Sequence, residues 1–305
     1  MNLVETALSY LRAGLCVLPA SLAEKRPMLP GWKAFQSALP TEQQVQTWFA
    51  DAEALCIVTG AVSGHAEIFD FDQQGELFQA WCERVRQADP TILDKIVAET
   101  SPSTGWHTIA RCESPVSGNL KLAQRKIYVE SADPVEIKGK RYVPRKDVDG
   151  RFSVIITLIE TRGEGGLFLC APSPGYELAQ GDLTQLPVLT AEQREIMLEA
   201  AWSLNEFIPE PEKIDTTSTP SLQRPGDDFN QRGNVRELLI KHGWTLAKPG
   251  ENEYWRRPGK ERGWSATLKN GVLYVFTLVG RGPYKEETIE IPSTAALLIA
   301  GAPAA

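Results

Sequence analysis

Two aspartates, Asp70 and Asp72, interrupt the segment AEIFDFD (66–72), which otherwise has the apolar composition of a buried strand. Side chains two positions apart in a β-strand point to the same face, so the aspartates share one face and Phe69 and Phe71 share the other. Two neighbouring carboxylates repel each other unless a cation lies between them, and Mg²⁺ and Mn²⁺ prefer oxygen ligands. The spacing therefore indicates either a divalent metal site or a strand with one solvated face.

A third carboxylate, Glu160, ends the apolar segment SVIITLIE (153–160), and the glycine-rich segment TRGEGG (161–166) follows directly. The flexible backbone of these glycines and the side chain of Arg162 can approach a phosphate group closely. A strand-borne acid beside such a turn fits metal-assisted phosphoryl chemistry. The same residues also fit a β-hairpin whose glycines only supply positive φ angles.

His107 begins a strand directly after a turn-prone segment, SPSTGWH (101–107). Backbone amides of this turn and the hydroxyls of Ser101, Ser103 and Thr104 can donate hydrogen bonds to an anion that the imidazole also contacts. The alternative is a histidine with only a structural role in its strand.

Short strands and amphipathic helices alternate around these residues. Apolar residues at helical spacing, and Thr–Gln pairs typical of capping boxes, predict helices in 3–15, 41–49, 76–87 and 190–204. Runs of β-branched and aromatic residues predict strands in CVLPA, LCIVTG, AEIFDFD, KIVAET, WHTIARC and FSVIITLIE. The stretch 121–146 holds eight Lys or Arg against three acids and is expected to form an exposed basic hairpin or insertion.

The sequence predicts two domains joined by a linker. The segment PEPEKIDTTSTPSLQRPGDD (209–228) is rich in Pro, Ser, Thr and charge and leaves little to bury. We therefore assign residues 1–190 to a first domain, 191–225 to a helix and flexible linker, and 226–305 to a small α+β domain.

Composition excludes several classes of protein. The net charge of −7 argues against a chain that coats nucleic acid or an anionic membrane along its whole surface, so any polyanion site must be a local patch. The five cysteines are far apart, which argues against a zinc ribbon or disulfide framework and favours a reducing compartment. No apolar run is long enough to span a membrane. The sequence also lacks the P-loop motif G-x-x-x-x-G-K-[ST], which argues against a P-loop motor.

Taken in order, eight segments resemble the Prim-Pol (bifunctional DNA primase/polymerase) domain of the archaeo-eukaryotic primase superfamily, in the form found in phage, plasmid and integrated-element replication proteins. They lie within residues 5–190 and are YLRAGLCVLPA, KRPMLPGW, CIVTG, IFDFD, SPSTGWH, GNLKLA, LIETRGEGG and APS (171–173). The resemblance implies an α+β fold in which a small N-terminal α/β unit joins an RRM-like mixed sheet, with the active site in the groove between them. The segment after the linker resembles an accessory domain often found between such a domain and a helicase.

The resemblance assigns roles to the residues above. Asp70 and Asp72 match the acid pair that binds the catalytic metals, and Glu160 matches the third acid. His107 and Arg162 match residues that contact the phosphates of the incoming nucleotide. The implied nucleotide site also includes the turn residues Ser101, Ser103, Thr104 and Gly105. Thr104 and Glu160 replace the commoner Gly and Asp, which could shift nucleotide handling or metal preference.

The implied activity is template-dependent nucleotidyl transfer, in which two divalent ions, Mg²⁺ or Mn²⁺, support primer synthesis and extension in phage or mobile-element replication. The implied partners are single-stranded or primed DNA, dNTPs or NTPs, and a replicative helicase in the same or a separate chain, with no membrane. The expected location is the cytoplasm, that of a bacterial host if a phage encodes the protein. Template contacts are expected at Lys25, Arg26, Lys121, Arg125, Lys138, Lys140 and Arg141, unless these form only a solvated charged face.

Three other functions fit parts of the sequence. Asp133 and the Glu136-x-Lys138 pair match the D…E-x-K pattern of metal-dependent nucleases. A glycosyltransferase could bind a metal–nucleotide sugar through Asp70 and Asp72, but SPSTGWH and LIETRGEGG would then have no role. A primase-like protein that only binds origin DNA would not need three acids and a histidine.

Overall fold

The computed structural model describes residues 2–147, 149–207, 234–269 and 272–275. The chain divides into two compact units, residues 1–207 and 208–305. Within the described residues, no helix has both the length and the apolar character needed to cross a bilayer.

The first unit contains three short 3-10 helices and six α-helices among its described residues, the latter being α1 Leu3–Arg12, α2 Glu42–Trp48, α3 Asp72–Gly75, α4 Phe78–Ala88, α5 Pro90–Lys95 and α6 Ala191–Trp202. Its strands are β1 Cys16–Ser21, β2 Arg26–Pro27, β3 Ala54–Val58, β4 Ala66–Phe71, β5 Val97–Thr100, β6 Trp106–Cys112, β7 Lys121–Val129, β8 Val135–Ile137, β9 Lys140–Tyr142, β10 Arg145–Lys146, β11 Phe152–Arg162, β12 Leu167–Leu169, β13 Glu177–Gln180 and β14 Val188–Leu189. The capping boxes predicted from Thr41–Gln44 and Thr190–Gln193 are both present and start α2 and α6.

Two antiparallel sheets form the body of this unit. The smaller sheet has the order β12-β3-β1-β2. The larger sheet runs β11-β4-β6-β5-β13, with β7 and β10 paired to β11, and only β14 joins it in parallel, on β6. The chain passes from the larger sheet to the smaller through residues 163–166, between β11 and β12.

The two faces of β4 pack against different parts of the core. Ala66 and Ile68 are fully buried in a cluster with residues of α1 and the smaller sheet. Phe69 and Phe71, on the opposite face, contact the ring of Trp81 in α4, with centroid separations of 5.9 and 5.0 Å. These aromatic contacts bury the phenylalanines and fix the strand that carries Asp70.

Helix α6 is part of the first unit. Arg194 donates two hydrogen bonds to Glu67 of β4, at 2.6 and 2.8 Å, and both side chains are buried. The indole of Trp81 also donates to the carbonyl of Met197, at 3.0 Å. The unit extends to residue 207, so this helix belongs with the sheets, and the predicted linker segment 209–228 lies outside the described residues.

The basic stretch 121–146 differs from its expected form. Its first part is β7, a nine-residue strand along the edge of β11, in which Leu122 and Ala123 are buried. Only β8 and β9 form a separate hairpin. The expected exposed hairpin or insertion therefore holds for β8 and β9 but not for β7, because Leu122 and Ala123 bury that strand in the larger sheet.

The second unit contains α7 Val235–Lys241 and the strands β15 Thr245–Lys248, β16 Glu253–Arg256, β17 Ala266–Lys269 and β18 Val272–Val275. The strands pair in sequence order as an antiparallel meander. Trp255, Leu239 and Leu273 are at the centre of its core. Helix α7 begins at Asn234, whose side chain accepts hydrogen bonds from two backbone amides of the first turn.

Candidate active site

Four charged or titratable side chains form one row across the larger sheet. Glu160 of β11 lies opposite Asp70 of β4, Asp70 lies opposite His107 of β6, and His107 lies opposite Glu99 of β5. Directly opposed residues of antiparallel strands place their side chains on the same face. Strand register therefore brings together residues that are 90 positions apart in the sequence.

The three predicted metal ligands meet at one end of this row. Ligand oxygens of Asp70, Asp72 and Glu160 lie within 4.8 Å of one another. Strand β4 ends at Phe71, so Asp72 is the first residue after the strand rather than a member of it. The chain turns there through residues 73 and 74, both with positive φ, and the turn leaves the Asp72 carboxylate beside that of Asp70.

Burial raises the pKa of both the Asp70 and the Glu160 carboxyl above the usual range. The charge of Asp72 raises both values further, whereas Arg162 opposes the shift. His107 also lowers the pKa of Asp70. Partly buried carboxyls that repel one another favour a bound cation, because the cation compensates both the repulsion and the lost hydration.

Cationic side chains already contact two of these acids. Lys140, on the β8–β9 hairpin, donates a hydrogen bond to Asp72, and Arg162 donates one to Glu160. Lys121 of β7 lies opposite Glu160 in the sheet. The hairpin is also attached through Lys138, which bonds to the carboxylate of Glu76 at 2.6 Å. Protein cations thus neutralise part of the acid cluster and hold the hairpin beside it.

The donor set fits a hard divalent ion. It consists of carboxylates alone, with oxygens close enough to share one or two ions, as Mg²⁺ and Mn²⁺ require. The two strand residues, Asp70 and Glu160, sit on paired strands whose relative position cannot change without breaking the ladder. Among the residues that the structure describes, this is the one group of three or more such ligands.

Mn²⁺ is expected to raise the thermal unfolding temperature of the full chain, because it neutralises the acid cluster in the folded state alone. An ion at a hundred times its Kd adds about 2.7 kcal/mol, which corresponds to about 5–10 °C for a unit of this size. Differential scanning calorimetry of Glu160→Gln should show most of this shift lost. Glu136→Gln, which alters an acid outside the cluster, should keep it. Equal shifts in the two variants would place the ion elsewhere.

His107 is held at the centre of the row. Its Nδ1 lies 2.7 Å from a carboxylate oxygen of Glu99, and its Nε2 lies 3.7 Å from Asp70. Burial lowers the pKa of His107, but the hydrogen bond to Glu99 and the charge of Asp70 outweigh it and leave the pKa above the usual range. The ring therefore presents Nε2 toward the acid cluster.

The predicted phosphate-binding turn, residues 101–105, is a tight turn between β5 and β6. The Ser101 amide donates a hydrogen bond to the Gly105 carbonyl at 3.0 Å, and the Thr104 amide donates to the Ser101 carbonyl at 2.9 Å. Thr104 has a φ of 57°, in the left-handed region that favours glycine. The left-handed φ explains why glycine is common at this position of the motif, and Thr104 adopts that left-handed conformation here.

The glycine-rich turn after Glu160 packs against protein. A Cβ added at Gly163 would lie 1.9 Å from the carbonyl oxygen of Ser117, and one added at Gly166 would lie 2.6 Å from the side-chain oxygen of Asn119. Thr59 donates its hydroxyl hydrogen bond to the carbonyl of Gly163. The close approach that these glycines permit holds the turn against neighbouring protein, and its approach to a phosphate stays a prediction.

Residues 7–189 match the family model of Prim-Pol, described as bifunctional DNA primase/polymerase, N-terminal. The match spans more than half of the 305 residues and includes the whole cross-strand row. The chain belongs to the Prim-Pol family. No curated protein matches it. The family is one of nucleotidyl-transferring primases and polymerases, so DNA and nucleotides are the substrates that membership implies.

The predicted template contacts of the Prim-Pol domain fall into two groups. One group lies on β7 and the β8–β9 hairpin: Lys121 lies opposite Glu160, Lys140 bonds to Asp72, Lys138 bonds to Glu76, and Arg125 bonds to both Glu76 and Glu206. Arg141 lies on β9 opposite Glu136. Lys25 and Arg26 lie at the exposed turn between β1 and β2, where Arg26 pairs with Glu24. Their contacts with DNA stay a prediction.

Sequence reasoning missed Glu99 and the contacts that Lys140 makes with Asp72. Glu99 interrupts the apolar strand KIVAET, as the aspartates interrupt theirs, and that interruption was the available signal. The sequence analysis gave Lys140 only a role in DNA binding, because nothing in the sequence shows that its hairpin folds toward the acid cluster. The nuclease pattern of Asp133, Glu136 and Lys138 forms no such cluster: Asp133 bonds to Ser131, and Lys138 to Glu76.

Proposed function

We propose that this Prim-Pol domain carries out template-dependent nucleotidyl transfer, making and extending DNA primers with two divalent ions, Mg²⁺ or Mn²⁺. The observation that carries the proposal is the convergence of Asp70, Asp72 and Glu160, two of which share one sheet row with His107. This arrangement combines a site for divalent ions with an imidazole that can contact a phosphate. An ion site beside a phosphate-binding imidazole suits a reaction between a primer hydroxyl and a nucleoside triphosphate.

Divalent ions bound by the three acids would favour ionisation of the primer 3′-hydroxyl and neutralise charge on the triphosphate and the leaving pyrophosphate. Asp70 and Glu160 hold their oxygens in position from paired strands. The Phe69 and Phe71 contacts with Trp81 keep β4 in place behind them. The protein thus mainly positions the reacting groups and supplies fixed charge, and these two effects account for most of the catalysis of phosphoryl transfer.

His107, Arg162 and Lys140 are proposed to contact the phosphates. Arg162 and Lys140 now bond to Glu160 and Asp72, the same acids that would bind the ions. When ions take over those carboxylates, both cations can turn to the nucleotide's oxygens. The turn at Ser101, Ser103, Thr104 and Gly105 would add backbone and hydroxyl donors beside them.

We further propose that the first unit has the archaeo-eukaryotic primase fold. In this assignment the smaller sheet with α1 and α2 is the N-terminal α/β unit, and the larger sheet is the RRM-like part. The role of Glu99 in binding Ala171 after β12 is consistent with a site at the junction of the two sheets. Residues 226–305 would be an accessory domain, and a helicase in phage or mobile-element replication would be the partner.

Primer extension tests the function directly. The full chain is incubated with a labelled primer annealed to a template, the four dNTPs and Mn²⁺, and the products are separated by size. Extension is expected, and single-stranded DNA without primer tests synthesis from the first nucleotide. Shortening of the label would instead support a nuclease, and retention of the DNA without change in length would support a binding protein; either would overturn the proposal.

A further inference from the structure

Glu99 is a fully buried carboxylate whose two oxygens both have partners. One oxygen lies 2.7 Å from Nδ1 of His107, and the other accepts a hydrogen bond of 3.0 Å from the backbone amide of Ala171. The Ala171 carbonyl in turn accepts from the hydroxyl of Tyr10 in α1, at 2.9 Å. The Glu99 side chain therefore joins the histidine strand to the segment that follows the smaller sheet.

The His107 ring has little freedom to rotate. Phe168 contacts it edge-on with a centroid separation of 5.8 Å, and Tyr176 lies 5.9 Å away. The imidazole is buried, with Nδ1 facing Glu99 and Nε2 facing Asp70. Packing restricts the plane of the ring, and the Glu99 hydrogen bond selects which of its two nitrogens faces the acid cluster.

Burying a carboxylate costs free energy unless its oxygens find donors. Glu99 recovers that cost through two hydrogen bonds, one of them to the histidine. An apolar side chain at this strand position would bury equally well but would leave Nδ1 without an acceptor. What the carboxylate adds is a defined orientation for the imidazole, in the way that a carboxylate partner orients histidines that act in catalysis or bind metals.

We propose that Glu99 is a positioning residue that accepts a hydrogen bond from the Nδ1–H of His107 and thereby directs Nε2 toward the phosphates of the incoming nucleotide. The identification of the nucleotide phosphates as the group that Nε2 contacts rests on the proposed function. The orientation of the imidazole ring does not depend on it. Glu99 itself touches neither the acid cluster nor the expected nucleotide position, because His107 stands between Glu99 and Asp70 in the row.

Glu99→Gln tests the proposal in the metal-free full chain. An amide cannot accept at both oxygen positions, so either His107 or the Ala171 amide loses its acceptor. Nitrogen-15 spectra of labelled histidine are expected to show Nδ1 of His107 protonated in the wild type and a shift toward the Nε2-protonated form in the variant. The chain has three histidines, so His65 and His242 provide internal references.

Nucleotide kinetics supply the second readout. In primer extension, Glu99→Gln is expected to raise the KM for dNTP about tenfold, with a smaller change in kcat, since a phosphate contact is displaced while the acid cluster stays intact. Glu67→Gln is the matched control, because it removes another buried carboxylate of the same sheet, one that is bonded to Arg194. The Glu67 side chain lies on the face of β4 opposite to that of Asp70. The control is expected to lower stability and leave both the His107 spectrum and the KM unchanged.

Two results would overturn the proposal. One is a His107 spectrum that is the same in Glu99→Gln and wild type. The other is a spectrum and KM that change as much in Glu67→Gln as in Glu99→Gln, which would reduce Glu99 to a part of the core. A wild-type chain that fails to extend primers would contradict the proposed function, while the nitrogen-15 spectra would still decide the position of the ring.

Discussion

The double variant Asp70→Ala/Asp72→Ala is expected to extend primers at least about a thousandfold more slowly than the wild-type chain. Metal ions contribute several kcal/mol to the stabilisation of charge in such reactions, and each 1.36 kcal/mol corresponds to about a tenfold change in rate. Removing two of the three clustered carboxylates leaves Glu160 alone. One carboxylate cannot hold two ions in position, so the loss should appear in kcat and persist at high Mn²⁺ concentration.

Glu136→Ala is the matched control for this experiment. Glu136 lies on the β8–β9 hairpin opposite Arg141 and outside the acid cluster, and it is the acid that the nuclease pattern would require. Single-turnover extension is expected to proceed at the wild-type rate in this variant. Extension that survives the loss of both aspartates, or that disappears with Glu136, would show that the chemistry is carried out elsewhere.

The second large effect is expected from Gly163→Ala, which should lower stability by at least about 3 kcal/mol, the upper part of the range for overpacked positions. The new Cβ would lie 1.9 Å from the Ser117 carbonyl oxygen, and because that oxygen is backbone and the Cβ position is fixed by the backbone, no side-chain rotation can relieve the clash. The turn also carries the hydrogen bond from the Thr59 hydroxyl. For a unit of this size the loss corresponds to about 6–12 °C in Tm, measurable by calorimetry of the full chain.

Gly118→Ala provides the comparison, since Gly118 adjoins Ser117 and an added Cβ there meets nothing within 4 Å. Its Tm is expected to stay within about 2 °C of the wild type, as for most exposed substitutions. If Gly163→Ala unfolded at the wild-type temperature but lost nucleotide binding, the turn would be a phosphate loop after all.

Much of the local structure follows from the sequence because it depends on neighbours along the chain. The capping boxes at Thr41 and Thr190 formed as expected, since each needs only residues three positions apart. The alternation of Phe69, Asp70 and Phe71 also separates the faces of β4 as strand geometry requires. The family, too, was identifiable from the order of short motifs, and the match over residues 7–189 confirms it.

Other features depend on contacts between distant segments, which local patterns do not encode. The glycines after Glu160 have the same composition whether they approach a phosphate or the Ser117 carbonyl, and only the fold decides between the two. In the same way, the charges of 121–146 do not reveal that β7 is a strand of the main sheet or that Lys140 reaches Asp72.

The sequence by itself singled out the candidate residues for the chemistry: the acids Asp70, Asp72 and Glu160 and the histidine His107, each recognisable by its motif. Only the tertiary structure decided that Glu160, Asp70 and His107 stand in one row that Glu99 completes, with Asp72 beside Asp70. The physical reason is strand register. A shift of one residue between two strands would send a side chain to the other face, and register is set by packing of the whole sheet rather than by any one segment.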